Sequence, residues 1–219
     1  TNLSSSESSS LSQDELDFIR GLCKQSFYFF CKVVLEYPFP KSWLAPHIHR
    51  PICEILQDHQ GRGRRVAVTL PRSWLKSTLC SIYYPIWRAV HDTGLRGLIC
   101  QNSAPNAEKK LAAIRGQFEG NTLLRALYPE VLPGREETWS TMAACLKRPI
   151  NHPESTFETA GTRTKVISRH YDLIIEDDTV APDLDEIGSD NVCPTKDDID
   201  QATPVYDDFA LLQIDGCDY

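Results

Sequence analysis

Apolar residues recur along the chain with two different periods, and the stretches with each period alternate. From Asp14 to Tyr37, Leu16, Ile19, Leu22 and Cys23 fall at three- and four-residue steps, which predicts a helix. Ser12 followed by Glu15 matches a capping box at its start, and Pro38 and Pro40 end it. A second helix is predicted from about Pro46 to Gln57, opening on a proline suited to a first turn and stopping before Gly61 and Gly63. Arg65 to Leu70, RVAVTL, is short, apolar and β-branched and predicts a buried strand. After the loop PRSWLKS, Thr78 to Val90 reads as a helix kinked at Pro85. Arg96 to Gln101 reads as a second buried strand, and Ala104 to Phe118, running on to Leu127, as a helix closed by Pro129 and Pro133. Further strands are expected at Ser155 to Thr159, at Lys165 to Ser168 and, more strongly, at Tyr171 to Glu176, with a last one within Asp208 to Ile214. Strands alternating with helices point to a three-layer α/β domain with a mostly parallel central sheet.

Composition narrows this picture. With 219 residues, 41% of them apolar, the chain can bury a real core in one large or two small domains. The expected division is a disordered leader over 1–13, a helical segment over 14–60 and an α/β core over 61–219. The leader begins TNLSSSESSS, which is too polar to pack. No run approaches the eighteen apolar residues of a membrane span and no signal-peptide order is present, so an intracellular protein without a membrane partner is expected. The eight cysteines are widely scattered, with no short pair of zinc-site spacing, and read as buried thiols. The net charge of −7 argues against a surface that coats nucleic acid everywhere. Its distribution is uneven, with Arg50, Arg62, Arg64 and Arg65 in a basic stretch and Asp183 to Asp200 in an acidic one.

The loop Pro71 to Thr78, PRSWLKST, is the first candidate for chemistry. A phosphate-binding loop turns successive backbone amides at a helix start toward phosphates, adds a lysine for the outer phosphates and follows it with a hydroxyl for Mg2+. Lys76 and Ser77 stand where that requires, between a predicted strand and a predicted helix, and Arg72 adds a second cation. The common pattern would place glycines at positions 70 and 75, where this chain has Leu70 and Leu75. The second candidate is YDLIIEDD, an apolar strand running into Glu176, Asp177 and Asp178. Adjacent acids after a buried strand need a cation or water to face. Asp177 is expected to serve the Mg2+ shell and Asp178 to orient the attacking water, with Glu176 in reserve for either role.

Taken in order, WLAPHIHRPICEIL, RVAVTLPRSWLKST, ICQNSAPNAEKKLAAIRGQFEGN, FETAGTRTKVISRHYD and LIIEDD give a chain that resembles the large terminase subunits of tailed bacteriophages, the motors that package DNA into capsids. The likeness runs from about Trp43 to Val180, and the family commonly carries a loop of the form PRxxxKS. The resemblance implies a P-loop ATPase core of the additional-strand, catalytic-glutamate type that uses ATP and Mg2+. Arg72, Ser73, Trp74, Leu75, Lys76, Ser77 and Thr78 would meet the nucleotide phosphates. Trp43, Pro46 and His47 resemble the adenine-contacting motif, and Arg169 or Arg163 would reach the phosphates held by a neighbouring subunit in a ring. Where the family often has an aspartate–glutamate pair, this chain has Asp177 and Asp178. The implied partners are double-stranded DNA, the portal protein and the small terminase subunit, and the implied location is the cytoplasm of an infected bacterium, docked on the procapsid. Family members also carry a C-terminal nuclease domain. The acids from Asp183 to Asp200 do not have the strand framing of a two-metal site, so no nuclease activity is expected.

Overall fold

A computed structural model describes residues 11–38, 42–58, 65–162, 164, 166, 169–180, 196 and 213–218. Residues 1–10 of the expected leader, Arg62 and Arg64, Arg163, the strand over 165–168 except Val166, the acidic stretch 183–200 except Lys196, and 208–212 of the last expected strand therefore lie outside the described residues, while 11–13 of the expected leader are described and already lead into a helix.

The predicted first helix is interrupted. Helix α1 (Gln13–Gln25) starts with the expected capping box, in which the Ser12 and Glu15 side chains satisfy each other's backbone amides. Ser26 then takes an extended conformation, and its hydroxyl caps α2 (Phe27–Phe30) by accepting from Phe29 N–H at 3.1 Å. The break lets Phe27 and Phe30 turn inward with Cys31, Val34 and Leu35 of the following π-helical turn. Helix α3 (Pro46–Asp58) agrees with expectation and buries His49, Cys53 and Leu56.

Lys76 and Ser77 open a helical stretch that passes through a π-helical turn (Thr78–Tyr83) into α4 (Tyr84–His91). The widened turn precedes Pro85, which offers no N–H to the carbonyl of Ser81 and whose ring crowds it. The long predicted helix after the second strand is two helices, α5 (Ala104–Gly120) and α6 (Thr122–Leu127). They are separated at Asn121, whose side chain caps α6 through Leu124 N–H at 2.9 Å.

Strands β1 (Gly97–Gln101), β2 (Ala143–Ala144), β3 (Phe157–Gly161), β4 (Tyr171–Glu176) and β5 (Gln213–Asp218) form one sheet in the order β2-β3-β1-β4-β5. All neighbours are parallel except β2 with β3. The fold is thus α/β with a mixed, mostly parallel sheet. Register aligns Gln101 with Gly161 and Cys100 with Glu176, so three parallel strands end on one edge. Gly161 is required there. A Cβ at this position would lie 2.5 Å from Ala104 N and 2.9 Å from Ser103 C, where α5 starts.

One expectation is corrected. Arg65 to Leu70 is irregular and belongs to no strand. The physical reason lies in the sheet, where β4 has β1 on one side and β5 on the other, leaving no partner for this segment next to the acids. Among the described residues the two faces of the sheet are covered unequally. The main cluster gathers the buried faces of all six α-helices onto Ile99, Phe157, Leu173 and Ile175. The opposite face carries only a small cluster of Leu98, Cys100, Ala160, Tyr171 and Ile174, with Val166 against it. Of the cysteines, Cys23, Cys31, Cys53 and Cys100 are buried thiols as expected, and Cys80 and Cys145 are half-buried.

Candidate functional site

The edge formed by the carboxyl ends of β1, β3 and β4 is where open parallel sheets present ligand sites. The chain leaves β4 with Asp177 and Asp178. Alternation along the strand sends successive side chains to opposite faces. Ile175 lies in the helix-side cluster and Ile174 in the opposite one, so Asp177 follows Ile175 toward the helices and Glu176 follows Ile174 away from them. Cys100, the register partner of Glu176, belongs to that opposite cluster, and its thiol is pushed up to about 12 by burial and by the Glu176 charge.

Asp177 is 3% exposed, and a carboxylate buried to that degree needs cationic partners. It has two. Lys76 Nζ lies 3.1 Å from Asp177 Oδ1, and Lys110 Nζ lies 3.3 Å from Oδ2 in an ion pair without hydrogen-bond geometry. The Ser77 side chain is near enough to favour the ionised carboxylate as well. Burial alone would raise the Asp177 pKa, but Ser77, Lys76 and Lys110 together hold it down at about 2. Lys76 also reaches Asp178 Oδ1 at 3.1 Å, 102 residues along the chain. Burial draws the lysine's pKa down, and the two aspartates more than offset this and raise it. Asp178 itself is exposed and has a φ of 51°.

The loop that delivers Lys76 is backbone-strained. Ser73 has φ 66° and Leu75 has φ 58°, and Trp74 between them is not in the left-handed region. Each such non-glycine residue costs roughly 1–2 kcal/mol. Position 75 is one where the glycine pattern expects glycine, which takes a positive φ without strain. Leu75 packs against the core, and its carbonyl accepts Leu79 N–H at 2.9 Å. Arg72, Ser73 and Trp74 are exposed, and Thr78 is half-buried in the π-helical turn.

Trp43, Pro46 and His47 are exposed at the start of α3. The residue of that segment that touches the loop is His49, 4% exposed and two residues, about 200°, further round the helix. Ala45 N–H donates to its Nδ1 at 2.9 Å, so Nε2–H donates to the Trp74 carbonyl at 3.1 Å. Arg169 is not part of this cluster. It precedes the opposite end of β4, on the order of 20 Å from Asp177 at the usual strand rise. There it pairs with Glu158, to which the Tyr171 hydroxyl donates at 2.7 Å. Burial lowers the Arg169 pKa and Glu158 and Tyr171 raise it, with a net upward shift.

Lys110, His49 and Gln101 were not among the residues singled out from the sequence. Gln101 is 4% exposed, sits on β1 at the level of Asp177, and has a side-chain nitrogen without a hydrogen-bond partner among the described residues. The signal for the other two was a polar residue inside an apolar helical stripe. Lys110 lies among Ala107, Leu111, Ile114 and Phe118, and His49 in step with Cys53 and Leu56.

Mg2+ fits the donors present. It is an oxygen-seeking ion that uses one or two carboxylates together with phosphate oxygens and water rather than a full protein cage. The Ser77 hydroxyl and the Asp177 carboxylate converge, although among the described residues no group of three His, Cys, Asp or Glu side chains does. No described helix is long and apolar enough to cross a membrane. No model of a known protein family matches the chain, and no curated protein does.

Proposed function

We propose that the chain binds ATP with Mg2+ at the loop 71–78 and hydrolyses it, as the P-loop motor domain of a DNA-packaging machine of the terminase type. The observation that carries this reading is Lys76, whose Nζ is 3.1 Å from both Asp177 Oδ1 and Asp178 Oδ1. It joins the loop expected to cradle phosphates to the acids expected to serve the metal and the water. In this reading Lys76 and Arg72 neutralise the outer phosphates, and the backbone amides of the loop donate to them. Ser77 and Asp177 would hold Mg2+, which supplies charge neutralisation at the phosphates. Asp178, exposed at the rim, orients the attacking water. Glu176 turns to the other face of the sheet and is the weaker candidate.

Motor action adds further parts to the proposal. Subunits form a ring in which Arg169 or Arg163 serves the neighbouring site, and double-stranded DNA meets a basic surface drawn from Arg62, Arg64 and Arg65. The portal protein and small terminase subunit are the partners, and packaging takes place at the procapsid in the cytoplasm of an infected bacterium. The chain alone has no nuclease activity. A second reading, a nucleotide-binding assembly module without turnover of its own, is favoured by one observation. The segment leading into the loop, Arg65 to Leu70, is not anchored in the sheet.

ATP turnover by the isolated chain and by Lys76→Ala tests the proposal. Turnover that rises with protein concentration, and falls both in Lys76→Ala and in Arg169→Ala, supports the ring motor. Binding with background turnover at every concentration supports the module, and equal turnover in wild type and Lys76→Ala removes the loop from the chemistry.

A further inference from the structure

The phosphate loop takes a shape that its own residues resist. In the common loop, glycines occupy left-handed positions without penalty, whereas here Ser73 and Leu75, both bearing a Cβ, have φ of 66° and 58°. A loop of this kind persists only where its surroundings hold it. Trp74, between the two strained residues, has an N–H that reaches Pro71 O at a long 3.3 Å, so the turn's own hydrogen bond is weak.

His49 supplies a firmer hold. Its ring is buried and fixed at the first turn of α3, where Ala45 O accepts His49 N–H at 2.9 Å and Ala45 N–H donates to Nδ1 at 2.9 Å. Nδ1 also lies 3.2 Å from Ala45 O, but the shorter contact with Ala45 N–H and the carbonyl facing Nε2 assign the ring proton to Nε2, which then donates to the Trp74 carbonyl at 3.1 Å, midway between the strained positions. We propose that His49 is a positioning residue that locks the loop in its binding shape, taking the part that glycines play in the common loop. The functional side of this inference rests on the proposed nucleotide site, and the conformational side stands without it. It also makes the N-terminal helical segment a determinant of loop order rather than only a neighbour of the nucleotide.

The test uses the full chain as wild type, His49→Ala, His49→Gln, Ser73→Gly and the double variant His49→Ala with Ser73→Gly. Two readouts are amide hydrogen exchange over residues 72–77 without ligand and titration with a fluorescent ADP analogue plus Mg2+. In His49→Ala, loop exchange rises about tenfold or more while β1 and β4 keep their protection, and affinity falls by about tenfold. His49→Gln, which retains an N–H donor, recovers part of both. Ser73→Gly relieves one strained position, so it improves binding more in the His49→Ala background than in wild type. Unchanged loop exchange in His49→Ala, or an equal rise throughout the strands, overturns the proposal. Should His49→Ala fail to fold, 15N shifts of the wild-type imidazole decide instead. The Nε2-protonated tautomer supports the lock, and a proton on Nδ1 contradicts it. Absence of nucleotide binding in wild type counts against the proposed function, and the exchange and imidazole measurements then judge the lock alone.

Discussion

Lys110 holds Asp177 from the side opposite Lys76, with its Nζ 3.3 Å from Oδ2 while Oδ1 is taken at 3.1 Å. A carboxylate buried to this degree and flanked by two lysines keeps one cation when the other is drawn away, so Lys76 can be given up to phosphates without stranding Asp177.

Removing Lys110 leaves Asp177 with Lys76 and Ser77 only. Lys110→Met is therefore expected to destabilise the chain by about 1–3 kcal/mol, less than the cost of stripping a buried charge of every partner. Urea denaturation checks this, and an unchanged midpoint with unchanged slope would show that the second lysine is not structural.

The depressed pKa of Asp177 predicts a specific acid sensitivity. Its folded value of about 2 lies below the ordinary aspartate value of 3.8, so the unfolded chain takes up the proton first as pH falls. The stabilisation is thus complete above about pH 5 and is lost between about pH 4 and 2, amounting to about 2 kcal/mol. Stability measured from pH 6 to 2.5 should fall less steeply for Asp177→Asn than for wild type. Parallel curves would refute the assignment.

The facing of the acids separates their roles. Asp177→Asn should abolish Mg2+-dependent nucleotide turnover, Asp178→Asn should reduce turnover about 100-fold or more while nucleotide still binds, and Glu176→Gln should have the smallest effect. A loss in Glu176→Gln as large as that in Asp178→Asn would reassign the water-orienting role.

Gly161→Ala should be destabilising by about 1–3 kcal/mol, because the added methyl meets the backbone of Ser103 and Ala104 rather than a flexible side chain. A thermal midpoint equal to that of wild type would show that the start of α5 can yield.

The sequence carried the helices and the strands β1, β3 and β4, because their apolar spacing is set by burial on a helix stripe or strand face. It also carried the meeting of Lys76 with Asp177 and Asp178, through the residue types at a loop and at a strand end. Segment 65–70 misled because its β-branched run satisfies strand propensity, whereas pairing depends on which partners the rest of the sheet leaves free. His49, which touches the loop, was not picked out among the histidines of that segment, since helical phase decides which histidine turns inward. Lys110 was passed over as an ordinary charge on a helix, although its place within the stripe of Ala107, Leu111 and Ile114 marked it as facing the sheet. Ser73 and Leu75 gave no sign of their backbone conformation, because neither residue type favours it.

The central claim is that Lys76 and Asp177 belong to one nucleotide site. It is tested most directly by equilibrium titration of the full chain with a fluorescent, non-hydrolysable ATP analogue in the presence of Mg2+, comparing wild type with Lys76→Ala. Saturable binding by wild type, weakened about tenfold or more in Lys76→Ala and lost from both on chelation of Mg2+, is the predicted result. Equal affinity in the two proteins, or no binding by wild type, would contradict it.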